Sequence, residues 1–175
     1  MAHLCELRRR AGWAAAALIL VASASGCGGD EDFDLPDWDA PGQNSRVGDL
    51  MLRYAHLAEP RGGEPWKPGD DVPGYVWVYN KSQKDDKLIG ASSPVASSVQ
   101  IVGADDKPRE EVRLPAQKLV ELESGKPHLL LRGLRKQIRG GEYVKITLRF
   151  RDAGSTTFNI AAQRPQRDES PSPSE

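Results

Sequence analysis

Cysteine is nearly absent from this 175-residue chain, which has only Cys5 and Cys27; histidine and methionine number three and two. No apolar run is long enough to span a membrane. The longest, Ala11 through Ala22, falls short of the roughly 20 residues that a ~30 Å hydrocarbon core requires. The chain shows no Gly-x-Ser-x-Gly elbow, P-loop, Gly-x-Gly-x-x-Gly or His-Glu-x-x-His. The common hydrolase, nucleotide and zinc-protease signatures are therefore missing. Acidic residues fall in turns or opposite the apolar positions, as solvated surface charge does. The sequence supports no enzymatic activity.

What is present begins at the N-terminus. Arg8, Arg9 and Arg10 precede the apolar run, and small residues, Ala22 through Gly26, close it before Cys27. A basic region, an apolar region and small residues before a cut are the three parts of a signal peptide. Ala24-Ser25-Gly26-Cys27 resembles the bacterial lipobox, with Ala24 where a larger aliphatic residue is usual. The expectation is a signal peptide over residues 1–26 and a mature chain beginning at a lipid-bearing Cys27. The partner so implied is the membrane, with the protein exported and anchored on the extracytoplasmic face. Cys5 leaves with the signal peptide and Cys27 is acylated. No thiol then remains for a disulfide, a metal or catalysis.

The 149 mature residues, enough for one domain, carry 21 basic against 24 acidic groups, a net charge of −3. Without a basic excess, nucleic acid is not an expected partner. Residues 27–45, rich in Asp with Pro36, Pro41 and Gly42, read as the lipidated cysteine and a flexible linker. Residues 164–175, rich in Pro, Ser and charge, read as a disordered tail. The folded domain is expected over 46–163.

Within that span the period is two. Val144, Ile146, Leu148 and Phe150 point one way; Tyr143, Lys145, Thr147, Arg149 and Arg151 point the other. Val99 and Ile101 alternate with Ser98 and Gln100, and Phe158 and Ile160 with Thr157 and Asn159. Leu50, Leu52 and Tyr54 form one face of a first strand, and Tyr75 to Tyr79 is β-branched and aromatic like a central strand. Turn signals separate these runs. Eight or nine short strands and almost no helix predict an all-β fold, an antiparallel β-sandwich.

The stretch Gly74 to Ala162 resembles the PCu(A)C copper chaperone domain. Tyr75-Val76-Trp77-Val78-Tyr79-Asn80 matches its early strand, and Asp86 through Ala96 its "D-x-L-x-G-x-S-S-P-x-A" segment. Leu114-Pro115-Ala116 with Val120-Glu121-Leu122, then His128 through Leu134, match its "I-P-A" and "H-x-M-L-x-G-L" landmarks in order. The resemblance implies a cupredoxin-like sandwich, and a Cu(I) site of two His and two Met, donors suited to a soft monovalent ion. Carried over residue by residue, the first His falls on Val102 and the last Met on Leu130. The hairpin bearing the other Met shrinks to Glu110 through Arg113, which has none. Only His128 remains, either as a metal ligand or as a strand-end histidine kept with the fold.

Alternation puts Val102 with Ser98 and Gln100, and His128 with Leu130 and Arg132, on outward faces. Val102, Leu130, His128, Arg132 and Arg113 are thus expected to form an outward patch where the family's metal sits. His56 reads as a structural strand histidine. Met51, the one mature methionine, lies five residues before it, a spacing that puts the two on opposite faces of a strand.

No cofactor is expected from the residues themselves; copper(I) is implied by the resemblance only. The function expected is an anchored lipoprotein with a PCu(A)C-like domain and a lost or weakened Cu(I) site, acting with a protein partner in copper delivery. The alternative is a metal-free protein-binding or scaffold lipoprotein at the cell surface. The anchor is testable directly: Cys27→Ser should release the protein into the medium or block its processing. A variant that stays in the membrane fraction at unchanged mature mass would contradict it.

Overall fold

The computed structural model describes residues 43–164. Residues 1–42, with the expected signal peptide, Cys27 and most of the expected linker, and residues 165–175, read as a tail, lie outside the described residues, and so do the expectations attached to them. Eleven strands follow in order: β1 (Gln43–Val47), β2 (Leu50–Leu57), β3 (Val72–Asn80), β4 (Asp86–Ser92), β5 (Ala96–Val102), β6 (Pro108–Arg109), β7 (Val112–Leu114), β8 (Leu119–Leu122), β9 (His128–Leu134), β10 (Tyr143–Phe150) and β11 (Ser155–Ala162). One 3-10 turn, Arg61–Gly63, is the only helical element among the described residues. β1 begins inside the stretch read as linker. Its sequence, Gln-Asn-Ser-Arg-Val, has one apolar residue and so no alternation to read.

The strands close on themselves. β2 bonds β3 along one edge and β11 along the other, and the pairing continues through β10, β4, β5 and β9 back to β3. β1 extends β2, β8 extends β3, and the short β6 and β7 attach to β5 and β4. The sandwich expected from sequence is thus joined at its edges into a closed all-β sheet. Ring pairings are antiparallel except the short β11–β2 contact, Ala161 against His56 and Ala162 against Leu57. Closure gives every ring strand a bonded neighbour on both sides.

Alternation fills the interior. Val144, Ile146, Leu148 and Phe150 are buried while Tyr143, Lys145 and Arg149 are exposed. Val72, Val76 and Val78 face inward from β3; Tyr75, Trp77 and Tyr79 lie half-buried on its outer side. Leucines from β2, β4, β7, β8 and β9 complete the core, each contributing on the order of 2 kcal/mol by leaving water.

β2 breaks the rule that read it. Arg53 is opposite Trp77 and His56 is opposite Tyr75, so Tyr54 and Ala55 together face the single Val76. This is a β-bulge, with Tyr54 at a φ of 54°. The extra residue shifts the phase: Leu50 and Leu52 point inward before it, Ala55 and Leu57 after it. Tyr54 therefore leaves the Leu50–Leu52 face. Met51, Arg53 and His56 all come to the outer side with Tyr79, Trp77 and Tyr75. The expectation that Met51 and His56 face opposite ways is overturned by that one inserted residue, although three β3 residues still separate their partners.

Two buried polar side chains tie the far end of the ring. Asn80 is fully buried with all four hydrogen-bonding positions used. Its Nδ2 donates to the carbonyls of Lys84 (2.8 Å) and Leu114 (2.9 Å), and its Oδ1 accepts from Ser82 N–H (3.0 Å) and Ser82 O–H (2.7 Å). Asp86 Oδ1 accepts from the N–H groups of Lys87 (2.7 Å) and Asp152 (3.0 Å), and Oδ2 from that of Ala153 (2.9 Å). The start of β4 and the β10–β11 turn are therefore held by one carboxylate. Asp86→Ala leaves three N–H groups without an acceptor. It should cost on the order of 3 kcal/mol and lower Tm by roughly 10 °C. Asp86→Asn, keeping one carbonyl oxygen, should cost less. Thermal melts check this ranking, and an alanine variant melting within about 2 °C of wild type contradicts it.

Candidate functional site

On the outer side of the ring one row of residues crosses four strands. His56 of β2 stands opposite Tyr75 of β3, and His128 of β9 opposite Val102 of β5. Tyr75 lies between the two imidazoles, with ring centroids 5.3 Å from His56 and 6.0 Å from His128. Tyr54, turned outward by the bulge, packs its ring on His56 at 4.5 Å and on Trp77 at 5.3 Å. Both histidines are buried, at 5% and 6% exposure.

The imidazoles are fixed in the same way. His56 Nδ1 lies 2.8 Å from the carbonyl of Tyr54, and His128 Nδ1 lies 2.9 Å from that of Lys126. A carbonyl only accepts, so each Nδ1 donates its N–H to the carbonyl. His128 Nε2 faces Asp106 Oδ1 at 3.7 Å. Asp106 is on the turn between β5 and β6, with a φ of 56°, and is largely exposed. Among the described residues, no three His, Cys, Asp or Glu side chains converge to hold a metal ion.

The remaining patch residues separate. Val102 is on the outer side but wholly buried: its neighbours across the sheet are His128 and Pro108, and it is not part of the main core cluster. Leu130, half-buried, stands between Gln100 and Pro73. Arg132 is held by Asp71 Oδ2 (2.6 Å) and Gln100 Oε1 (3.2 Å). The Gly133 N–H, then Arg132, hold the Asp71 carboxyl below the usual carboxylate range. Arg113 does not join. It is on β7, paired with β4, and binds Asp85 Oδ2 through Nη2 (2.6 Å) and Nε (3.0 Å). The expected outward patch is therefore Val102, His128, Leu130 and Arg132 without Arg113, and its Val102 is closed to solvent. Sequence reading missed the approach of His56 and Tyr75 and the facing of Asp106. The alternating aromatics Tyr75, Trp77 and Tyr79 were the available signal for the first.

Comparison with known proteins places these features. The profile of a family described as "Putative lipoprotein LpqE-like" matches residues 50–162. A protein of Leifsonia xyli subsp. xyli described as "Putative lipoprotein Lxx21020" is 35% identical over 78 residues, 40% of this chain and 46% of the relative. The chain thus matches about half the length of that curated relative. Among solved structures, the copper-bound PCuAC domain from PmoF2 aligns with TM-score 0.60 and 28% identity over 70% of this chain and 99% of that one. The apo PCuAC domain from PmoF1 aligns with TM-score 0.61 and 24% identity over 70% and 100%, a likeness of fold.

The buried histidine gives the site a pH dependence. Burial pushes the His56 imidazole below its ordinary value, outweighing the upward pull of the Tyr54 carbonyl and of Glu123. The unfolded chain then binds the proton more readily than the folded one below about pH 6.5. The stability tied to neutral His56 is complete above that pH and is lost as pH falls beneath it. Wild-type Tm should therefore drop between about pH 7.5 and 5.5, and His56→Phe, which keeps a ring there, should flatten the drop. Parallel slopes for the two proteins would show that His56 is not responsible.

Proposed function

Since the chain belongs to the LpqE-like lipoprotein family and carries a PCuAC-like domain, we propose that it is an extracytoplasmic lipoprotein, anchored through Cys27, whose Cu(I) site is lost or weakened. It acts as a binding module and not as a catalyst. One observation carries this reading: Val102 stands directly opposite His128 in the β5–β9 register. That is the position where the family resemblance expects the partner imidazole, and it offers only hydrocarbon. Leu130, two residues beyond His128, likewise has the volume of a methionine without its sulfur. His56 cannot make up the deficit, because Tyr75 stands between it and His128. A tight Cu(I) site needs several soft donors converging, and a single imidazole does not supply them.

The hydrocarbon at Val102 and at half-buried Leu130 favours a second reading, a metal-free module that meets a protein partner. Crosslinking in membranes followed by pulldown would identify that partner. The metal question is decided by competition against a Cu(I) chelator under reducing conditions. Wild type should compete weakly or not at all. Val102→His with Leu130→Met should bind at least about tenfold more tightly, equivalent to roughly 1.4 kcal/mol. If the wild type competes like a complete two-His, two-Met site and His128→Ala abolishes this, the lost-site reading fails.

A further inference from the structure

Charge is divided unevenly along the chain. Residues 43–164 carry 20 basic and 15 acidic groups, a net charge of +5. Residues 28–42, which lead into β1, carry six acidic and no basic groups, and Phe33, Leu35 and Trp38 stand among those acids. On the domain, the outer side of β10 presents Tyr143, Lys145, Thr147 and Arg149. Opposite the last three stand Asn159, Thr157 and Ser155 of β11, and Ser92 and Gly90 of β4, none of them acidic. The Arg149 guanidinium lies over Gly90, where a Cβ would come within 2.9 Å of Nη2. Among the described residues, neither Lys145 nor Arg149 has a carboxylate within ion-pair distance. We propose that the acidic and aromatic stretch 30–39 docks as a strap across this basic face of β10.

The route follows from where β1 begins. Gln43 is opposite Ala55 of β2, and Ser45 Oγ lies 3.1 Å from Thr156 Oγ1, so β1 is bordered by both β2 and β11. Immediately beyond, β2 and β11 pair with each other, His56 with Ala161 and Leu57 with Ala162. The sheet closes there and its inside is filled by the core, which leaves the outer side as the approach to Gln43. β10 is two strand spacings from β1, about 10 Å. Asp39 precedes Gln43 by four residues and Asp32 by eleven, lengths that reach at most roughly 13 and 37 Å. Lys145 and Arg149, about 13 Å apart along β10, are both within that reach. Charge disfavours the opposite direction. On the outer side of β3 and β8, Glu121 is opposite Trp77, and Trp77 Nε1–H donates to Glu123 Oε1 at 2.5 Å. Those two carboxylates share Lys126 and would repel an acidic segment. Exposed ion pairs are individually weak, but a short tether raises the effective concentration to the millimolar range. Tyr143, 59% exposed at the Lys145 end of the row, gives the strap's aromatics a ring to pack on. A docked strap keeps acidic partners off β10 until it is displaced.

The experiment uses residues 27–175 with Cys27→Ser and Pro36→Cys, a nitroxide on the introduced thiol, and reads the broadening of amide NMR signals. Trp77 on β3 is, like Lys145 on β10, two strands from β1, so a label without preference would broaden both alike. At about 0.1 M salt, Lys145, Thr147 and Arg149 should broaden more than Trp77 and Tyr79. At about 1 M salt, where the screening length falls to about 3 Å, that difference should shrink at least about twofold. Lys145→Glu with Arg149→Glu, both exposed positions, should abolish it. The same pair should move the Trp38 indole signal to where it lies when Asp32→Asn, Asp34→Asn, Asp37→Asn and Asp39→Asn are combined. Equal broadening on β10 and β3 overturns the proposal, as does a difference that survives the charge reversal or the four asparagines. Lipid is the competing occupant. If the unreversed chain binds vesicles of equimolar phosphatidylglycerol and phosphatidylcholine through Lys145 and Arg149, and loses the β10 broadening, the face belongs to the membrane and the strap is ruled out. None of these readouts involves His128 or copper, so they stand or fall apart from the metal site.

Discussion

Closure of the ring between β2 and β3 is the constraint on which the rest depends. A closed sheet has one inside, and every strand must present alternate residues to it over its whole length. β2 meets this demand while pairing with β1, β3 and β11, and it does so by inserting one residue at Tyr54–Ala55. Without the insertion, Leu57 and Leu52 could not both point inward, since they are five positions apart, an odd spacing. The bulge resolves this conflict of phase. As a by-product it turns His56 out of the core and brings it beside Tyr75. A feature required by packing thus sets the composition of the outer face.

The same economy holds at the opposite end. The described residues contain no cysteine and so no disulfide, and their hairpins are joined by Asn80 and Asp86, both buried and hydrogen-bonded. Buried polar groups of this kind are costly when any bond is missing and specific when all are made. They fix which loops meet, a matter on which a core of leucine and valine is indifferent.

The sequence made the ring strands legible because half-burial imposes a period of two, and β10 shows it without exception from Val144 to Phe150. It concealed β1, β6 and β7. These are short or polar and owe their state to the neighbour they pair with, which local alternation cannot register. The bulge was hidden for a different reason. Tyr54 adopts a backbone conformation that its residue type does not advertise, and reading β2 as an unbroken strand put Met51 and His56 on opposite faces. At the site, the outward direction of Val102 followed from alternation, but its burial did not. Direction is a property of the strand, whereas covering comes from the β5–β6 hairpin folding beside it. Arg113 was misassigned because its strand pairs with β4, a partner that spacing alone does not reveal.

The outer row also explains how the fold and a metal site can vary independently. Every residue that packs the ring points inward, while Val102, His128 and Leu130 point outward from β5 and β9. Exchanging a donor for hydrocarbon on that side removes no core contact. At a position shielded as fully as Val102 it also removes a polar group that would need a partner. An unoccupied imidazole there would have to be satisfied or hydrated, whereas valine needs neither. His128 escapes the same pressure because the Lys126 carbonyl takes its Nδ1 proton. It is therefore the one donor of the set that this sheet can keep without a metal.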